Sequence, residues 1–237
     1  MTEHADTGSL LFRIKDSLIS SVGDIVFGME DGAVSIFGLV LGVAAGAQSA
    51  DAVFLAGATG AIAASVSMMA GLYLDLESEK DAASVEEMLR QKEIKKDPDA
   101  VINGLMGQLK GAGLSQKSLD AIREDAKADP MTVMRLEDAM AAEEESPARK
   151  GSIYAHVAWM GITDFAAGIT PVLPFAFLPF GEARIICISG TAILLVVLGV
   201  GRSIIGKRPL FRGILETCSI AAAAAIAGVL IAYLISA

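Results

Sequence analysis

Residues 31–50 read DGAVSIFGLVLGVAAGAQSA, an apolar stretch that opens on an acid and carries Gly38, Gly42 and Gly46 at strict four-residue spacing. Glycines four apart line one helix face and let a second helix approach closely where lipid supplies no hydrophobic push. A carboxylate at the mouth of such a helix is costly in a bilayer unless it has a use. The stretch predicts a membrane helix.

The rest of the chain agrees. Of the 237 residues 53% are apolar, and four more long segments are nearly free of charge: Ala52 to Leu74, Ile153 to Phe180, Ala183 to Gly201 and Gly213 to Ser236. Each is close to or above the roughly 20 residues that cross a bilayer as a helix. None shows the alternation of a barrel strand, and backbone amides must be paired inside hydrocarbon, so helices are the consistent reading. The expected fold is all-α, a polytopic membrane protein with five transmembrane helices and a cytoplasmic helical insertion between spans two and three. Residues 1–24 are expected to form a cytoplasmic N-terminal segment, 25–74 spans one and two, 75–150 the insertion, and 151–237 spans three to five.

Orientation follows from the basic residues. The segment between spans two and three holds twelve of the nineteen, and the loop after span four adds Arg202, Lys207, Arg208 and Arg212, whereas the turn near Glu182 has Arg184 alone. The N-terminus, insertion and fourth connection are therefore expected in the cytoplasm, with Ala237 on the opposite side. Glu3, Asp6, Asp16 and Asp24 interrupt the first 24 residues, which lack the apolar core of a signal peptide. An integral protein of a bacterial inner membrane or a vacuolar membrane is expected, with no nucleic-acid partner and no enzymatic activity.

Much of the net charge of -9 comes from residues 75–150, which hold eighteen acids against twelve bases. Asp97-Pro98 and Asp129-Pro130 each set an N-cap acid before a proline at the first helical position, and Gly113 followed by Ser115 reads as the end of one helix and the cap of the next. Four helices are predicted here: a continuation of span two to about Lys95, then Pro98 to Ala112, Ser115 to Lys127 and Pro130 to Glu145. Glu143 to Pro147 reads as a solvated linker. Cys187 and Cys218 both fall in predicted spans, as small apolar fillers.

Asp24 and Asp31, seven residues apart, share a helix face. Met68 and Met69 bring thioethers to membrane depth in span two, and Asp164 lies near the middle of span three beside Gly168, Pro171 and Pro174. Carboxylate oxygens mixed with a thioether suit a divalent transition metal better than calcium or magnesium. Structural roles stay open: Met68 as core filler, Asp31 as a helix cap, Asp164 as a neutral acid bonded to backbone freed by Pro171. In the insertion, Asp75, Glu79, Glu86 and Glu93 form one stripe with Glu87 nearby, and Met134 and Glu137 share a face, with Met131 one turn before. Such a stripe is also what a solvated surface looks like.

Together these residues carry a resemblance. DGAVSIFGLVLGVAAG, the VSMMAGLYL of span two, the acidic insertion with KEIKKDP and GLS, the TPVLPF of span three and the GKRPLFRG joining the last two spans resemble the vacuolar iron transporter family and its nodulin-like relatives, from about Arg13 to the C-terminus. The resemblance implies a five-span homodimer that exports Fe2+ or Mn2+ from the cytosol in exchange for protons, the metal being cargo and no cofactor being required. It places Asp31 and Met68 in the translocation path, to which Asp24 and Asp164 are added here, and makes the insertion a metal-collecting domain in which Glu93, Met134 and Glu137 would be ligands, to which Glu86 and Glu79 of the acidic stripe are added here. Gly38, Gly42 and Gly46 are then expected at the dimer interface. The chain departs from the family pattern at Gly60, Arg90, Val101 and Gly104, each standing where a glutamate is usual. A second reading therefore stands beside transport, a non-transporting membrane scaffold or regulatory protein that kept the fold and lost metal ligands.

Overall fold

The computed structural model of the chain describes residues 14–47, 49–144 and 152–236, and among these every regular element is a helix. In chain order they are α1 (Val22–Gly46), α2 (Ala50–Lys96), α3 (Pro98–Gly111), α4 (Gln116–Ala128), α5 (Met131–Glu144), α6 (Ile153–Ile169), α7 (Pro174–Phe177), α8 (Phe180–Ile205) and α9 (Leu210–Ser236). The chain forms two compact units, Met1–Leu74 with Ala148–Ala237 and Asp75–Pro147. Residues 1–13 of the predicted cytoplasmic segment, residues 145–147 of the predicted linker and the terminal Ala237 lie outside the described residues.

Four helices are long and apolar enough to cross a bilayer: α1, α2, α8 and α9. The third expected span is broken. α6 stops at Ile169 after 17 residues, about 25 Å at 1.5 Å per residue, which is short of a hydrocarbon core of about 30 Å. Pro171 and Pro174 lack the amide hydrogens a continuous helix would need. The turn between α6 and α7 is closed instead by local bonds, with the Val172 and Leu173 amides both donating to the Ile169 carbonyl at 3.0 Å. Pro171 and Val172 are fully buried, as irregular backbone at membrane depth must be.

Glycines decide how the first unit packs. A side chain at Gly28 would begin 2.7 Å from the Met160 carbonyl, and one at Gly32 would collide with the backbone of Asp164, so α1 and α6 touch nearly backbone to backbone. The other face of α1 does the same with α9: a Cβ at Gly38 would lie 2.9 Å from the Ala224 carbonyl and one at Gly42 2.8 Å from that of Gly228. Gly38 and Gly42 thus pack against α9 within the chain, the strip also lines an open apolar groove with Ala224 and Gly228, and Gly46 is exposed. The spacing permits a close helix neighbour without naming it. Ile36, Phe37 and Val40 of α1 meet Val53 and Ala61 of α2, Val172, Phe175 and the buried free thiol of Cys187 in the main apolar cluster.

In the second unit the caps act where the sequence sets them. The Asp97 carboxylate accepts from the Ala100 amide at 3.1 Å, the Ser115 hydroxyl from the Ser118 amide at 3.3 Å, and the Asp129 carboxylate from the Met131 amide at 3.1 Å. Gly113 takes φ 90, the left-handed conformation that ends α3. Ile94, Val101, Ile102, Leu105, Leu119 and Val133 then close an apolar core of their own.

Candidate functional site

α1 begins at Val22, nine residues before Asp31, so Asp31 lies inside the helix and caps nothing. Its neighbour Gly32 abuts the backbone of Asp164 on α6, which sets the two acids on facing stretches of the two packed helices. Asp164 is 1% exposed. The Ser65 hydroxyl on α2 lies 2.6 Å from its Oδ2 and 2.8 Å from the Ala61 carbonyl, while its Oδ1 is buried with no hydrogen-bond partner. One hydroxyl has one proton to give. Both short contacts of Ser65 are satisfied together when Asp164 is itself protonated and donates to Ser65, which then donates to Ala61. Deprotonated, Asp164 claims the Ser65 proton and leaves Oδ1 as an unpaired acceptor in an apolar surround, a position a cation would satisfy.

Met69, one turn beyond Ser65, lays its thioether over Gly161, itself one turn before Asp164. Met68 is half-buried on the adjacent face. The sequence set the two methionines side by side; the structure gives the contact with α6 to Met69. Gly60 contributes no acid, and the space a side chain would take there is filled by Leu39.

Asp24 belongs to a separate cluster. Its Oδ2 is 2.6 Å from Nδ1 of His156, which also lies 3.2 Å from the Ser21 hydroxyl, and Nε2 of His156 is buried without a partner. Sequence reasoning did not single out His156, nor Glu30, which lies one position before Asp31. Glu30 accepts from Arg202 at 2.8 and 3.0 Å and from the Thr217 hydroxyl at 2.7 Å, joining α1, α8 and α9. A carboxylate in an apolar run was the available signal.

In the second unit Glu93 and Glu137 do come together, around Arg90. The guanidinium donates to both Glu137 oxygens, through Nε at 3.0 Å and through Nη2, and to Glu93 at 2.9 Å through Nη1. The two-pronged bond to Glu137 raises the Arg90 pKa above its ordinary range, opposed next by burial and supported to a lesser degree by the bond to Glu93. Glu86 borders the same open cleft. Glu79 lies seven residues earlier on the exposed surface, and Met134 packs against the core of the unit. Among the described residues no three His, Cys, Asp or Glu side chains are grouped so as to hold a metal ion.

The sequence model of the VIT family matches residues 22–233, from the first residue of α1 to within three residues of the end of α9. No curated protein matches the chain.

Proposed function

The chain belongs to the VIT family, an integral membrane family of metal-ion transporters, and from that premise we propose that it carries Fe2+ or Mn2+ out of the cytosol in exchange for protons, as a five-span homodimer with its C-terminus on the far side. The observation that carries this reading is the unpaired, buried Oδ1 of Asp164 beside Asp31. Protons and metal compete for the same carboxylates: a protonated Asp164 is neutral and bonded to Ser65, so its unpaired Oδ1 costs least, and a deprotonated one seeks a cation. Metal affinity then rises as protons leave, which is the coupling an exchanger needs. Asp31 supplies the second carboxylate, and Met68 or Met69 the soft ligand that favours a transition metal over calcium or magnesium.

Arg90 supports a second reading, a non-transporting scaffold. A chain that gives the carboxylates of its insertion to an internal cation has given up a place to collect metal. Proteoliposomes loaded with a pH-sensitive dye separate the two readings. Transport predicts Mn2+ or Fe2+ uptake coupled to counter-movement of protons and abolished by Asp31→Asn; a scaffold predicts neither movement in the wild type.

A further inference from the structure

The turn joining α8 to α9 carries two cations, Lys207 and Arg208, that are unmatched among the described residues. α8 ends in a Schellman motif, the Lys207 amide donating to the Ile204 carbonyl at 3.3 Å and the Arg208 amide to that of Ser203 at 2.9 Å. The motif holds Lys207 at φ 49, a left-handed position that favours glycine, yet the glycine stands one residue earlier, at Gly206. Arg208 folds back over that glycine, its Cγ and Cδ 3.6 Å from where a side chain there would start. Beside it a cleft of about 270 Å³ opens between α1 and the end of α8, with exposed Phe27 and Ile205 as its apolar wall and Arg202, Arg208 and Glu30 at its polar edge.

The acids near this cleft are already engaged. Glu30 is held by Arg202 and Thr217. Glu216, which lies in the field of Arg202 and Arg208, is held by Arg212 at 2.9 Å. Among the described residues the side chains of Lys207 and Arg208 have neither ion pair nor hydrogen bond. A cleft with an excess of positive charge at one side and bare apolar surface at the other, at the end of a membrane helix, matches an amphiphile with an anionic head. We propose that it binds an anionic phospholipid, Arg208 and Arg202 taking the phosphate through their planar forks and the upper acyl carbons lying on Phe27 and Ile205. A choline headgroup would bring its own cation to an edge that already holds Arg202 and Arg208 against Glu30 alone, so zwitterionic lipid is disfavoured. The inference depends on the bilayer setting and is independent of what the protein carries.

The purified chain in detergent is titrated with phosphatidylglycerol, phosphatidylcholine or inorganic phosphate, and read by native mass spectrometry and thermal unfolding. Phosphatidylglycerol is expected to remain bound and to raise the melting temperature, and phosphatidylcholine to do neither. Arg208→Gln is expected to weaken phosphatidylglycerol binding about fivefold, the effect of one basic group near a lipid surface. Arg184→Gln, near the opposite end of α8, leaves it unchanged. Should Arg208→Gln fail to fold, photo-crosslinkable phosphatidylglycerol on the wild type is expected to label residues 23–30 and 202–208. Equal retention of the two lipids, unaltered affinity in Arg208→Gln, or label elsewhere would overturn the proposal, as would displacement by inorganic phosphate at matched concentration, which marks a site for a free anion.

Discussion

Two pairs of acids, each carried on separate helices, meet in this molecule with opposite outcomes. Glu93 and Glu137 of the second unit close around the Arg90 guanidinium, so their charge is neutralised by a cation that never leaves. Asp31 and Asp164 of the membrane unit have no such partner, and one oxygen of Asp164 is left buried and unpaired. The first arrangement is complete as it stands and holds α2 to α5. The second is satisfied only by something that comes from outside, a proton or a metal ion. An acidic cluster thus becomes a binding site through what is withheld from it, and the presence of acids alone does not distinguish the cases.

The largest effect expected from testing this contrast comes from Asp164→Asn. The substitution keeps size and the Ser65 bond but removes titration, so metal flux in proteoliposomes should fall to that of empty vesicles while thermal unfolding is little changed. Flux with normal pH dependence would leave Asp164 a structural residue and end the contrast. Next is Gly42→Leu, which drives a side chain into the Gly228 backbone and parts α1 from α9. Overpacking of this kind costs about 1–3 kcal/mol, read as a lower melting temperature of the monomer in detergent.

Arg90→Gln is a sharper probe with a smaller effect. The pair is partly exposed, so its loss should cost no more than about 1 kcal/mol. Freed of their internal cation, Glu93 and Glu137 should then show Mn2+-dependent stabilisation that the wild type lacks; absence of any gain would mean that Arg90 is not what keeps metal away. Because Arg90 has a raised pKa, its contribution is fully present below the ordinary arginine range and is lost only as pH climbs through the still higher folded value. Mild alkali should therefore leave the lock intact. The smallest effect is that of Asp97→Ala, about 1 kcal/mol through loss of the α3 cap, with unchanged response to chelator, since the core of the second unit is apolar.

The second unit was legible in the sequence almost residue by residue because its signals are local. Asp97, Gly113, Ser115 and Asp129 each act on amides within a few positions. What the sequence withheld is long-range. The periodicity of Gly38 and Gly42 announces a close neighbour, but whether that neighbour is α9 or a second chain depends on residues nearly two hundred positions away. Likewise Arg90 was visible as a replaced acid, while its grip on Glu137 requires α5 to fold back. Asp164 was found because an acid within an apolar run stands out; His156 and Glu30 were passed over because a histidine has bland uses and Glu30 lies in the shadow of Asp31.

The backbone contact between α1 and α6 has a mechanical meaning. Gly28 and Gly32 seat against the Met160 and Asp164 carbonyls, and the Gly32 carbonyl lies 3.3 Å from where a side chain at Gly168 would start, so the two helices are seated against one another over several turns with backbone contact at each glycine. Interlocked surfaces of that kind move as one body. Asp31 and Asp164, one on each helix, are then expected to keep their separation, with access to them switched elsewhere, by α2, whose Ser65 bonds Asp164 and whose Met69 lies over Gly161.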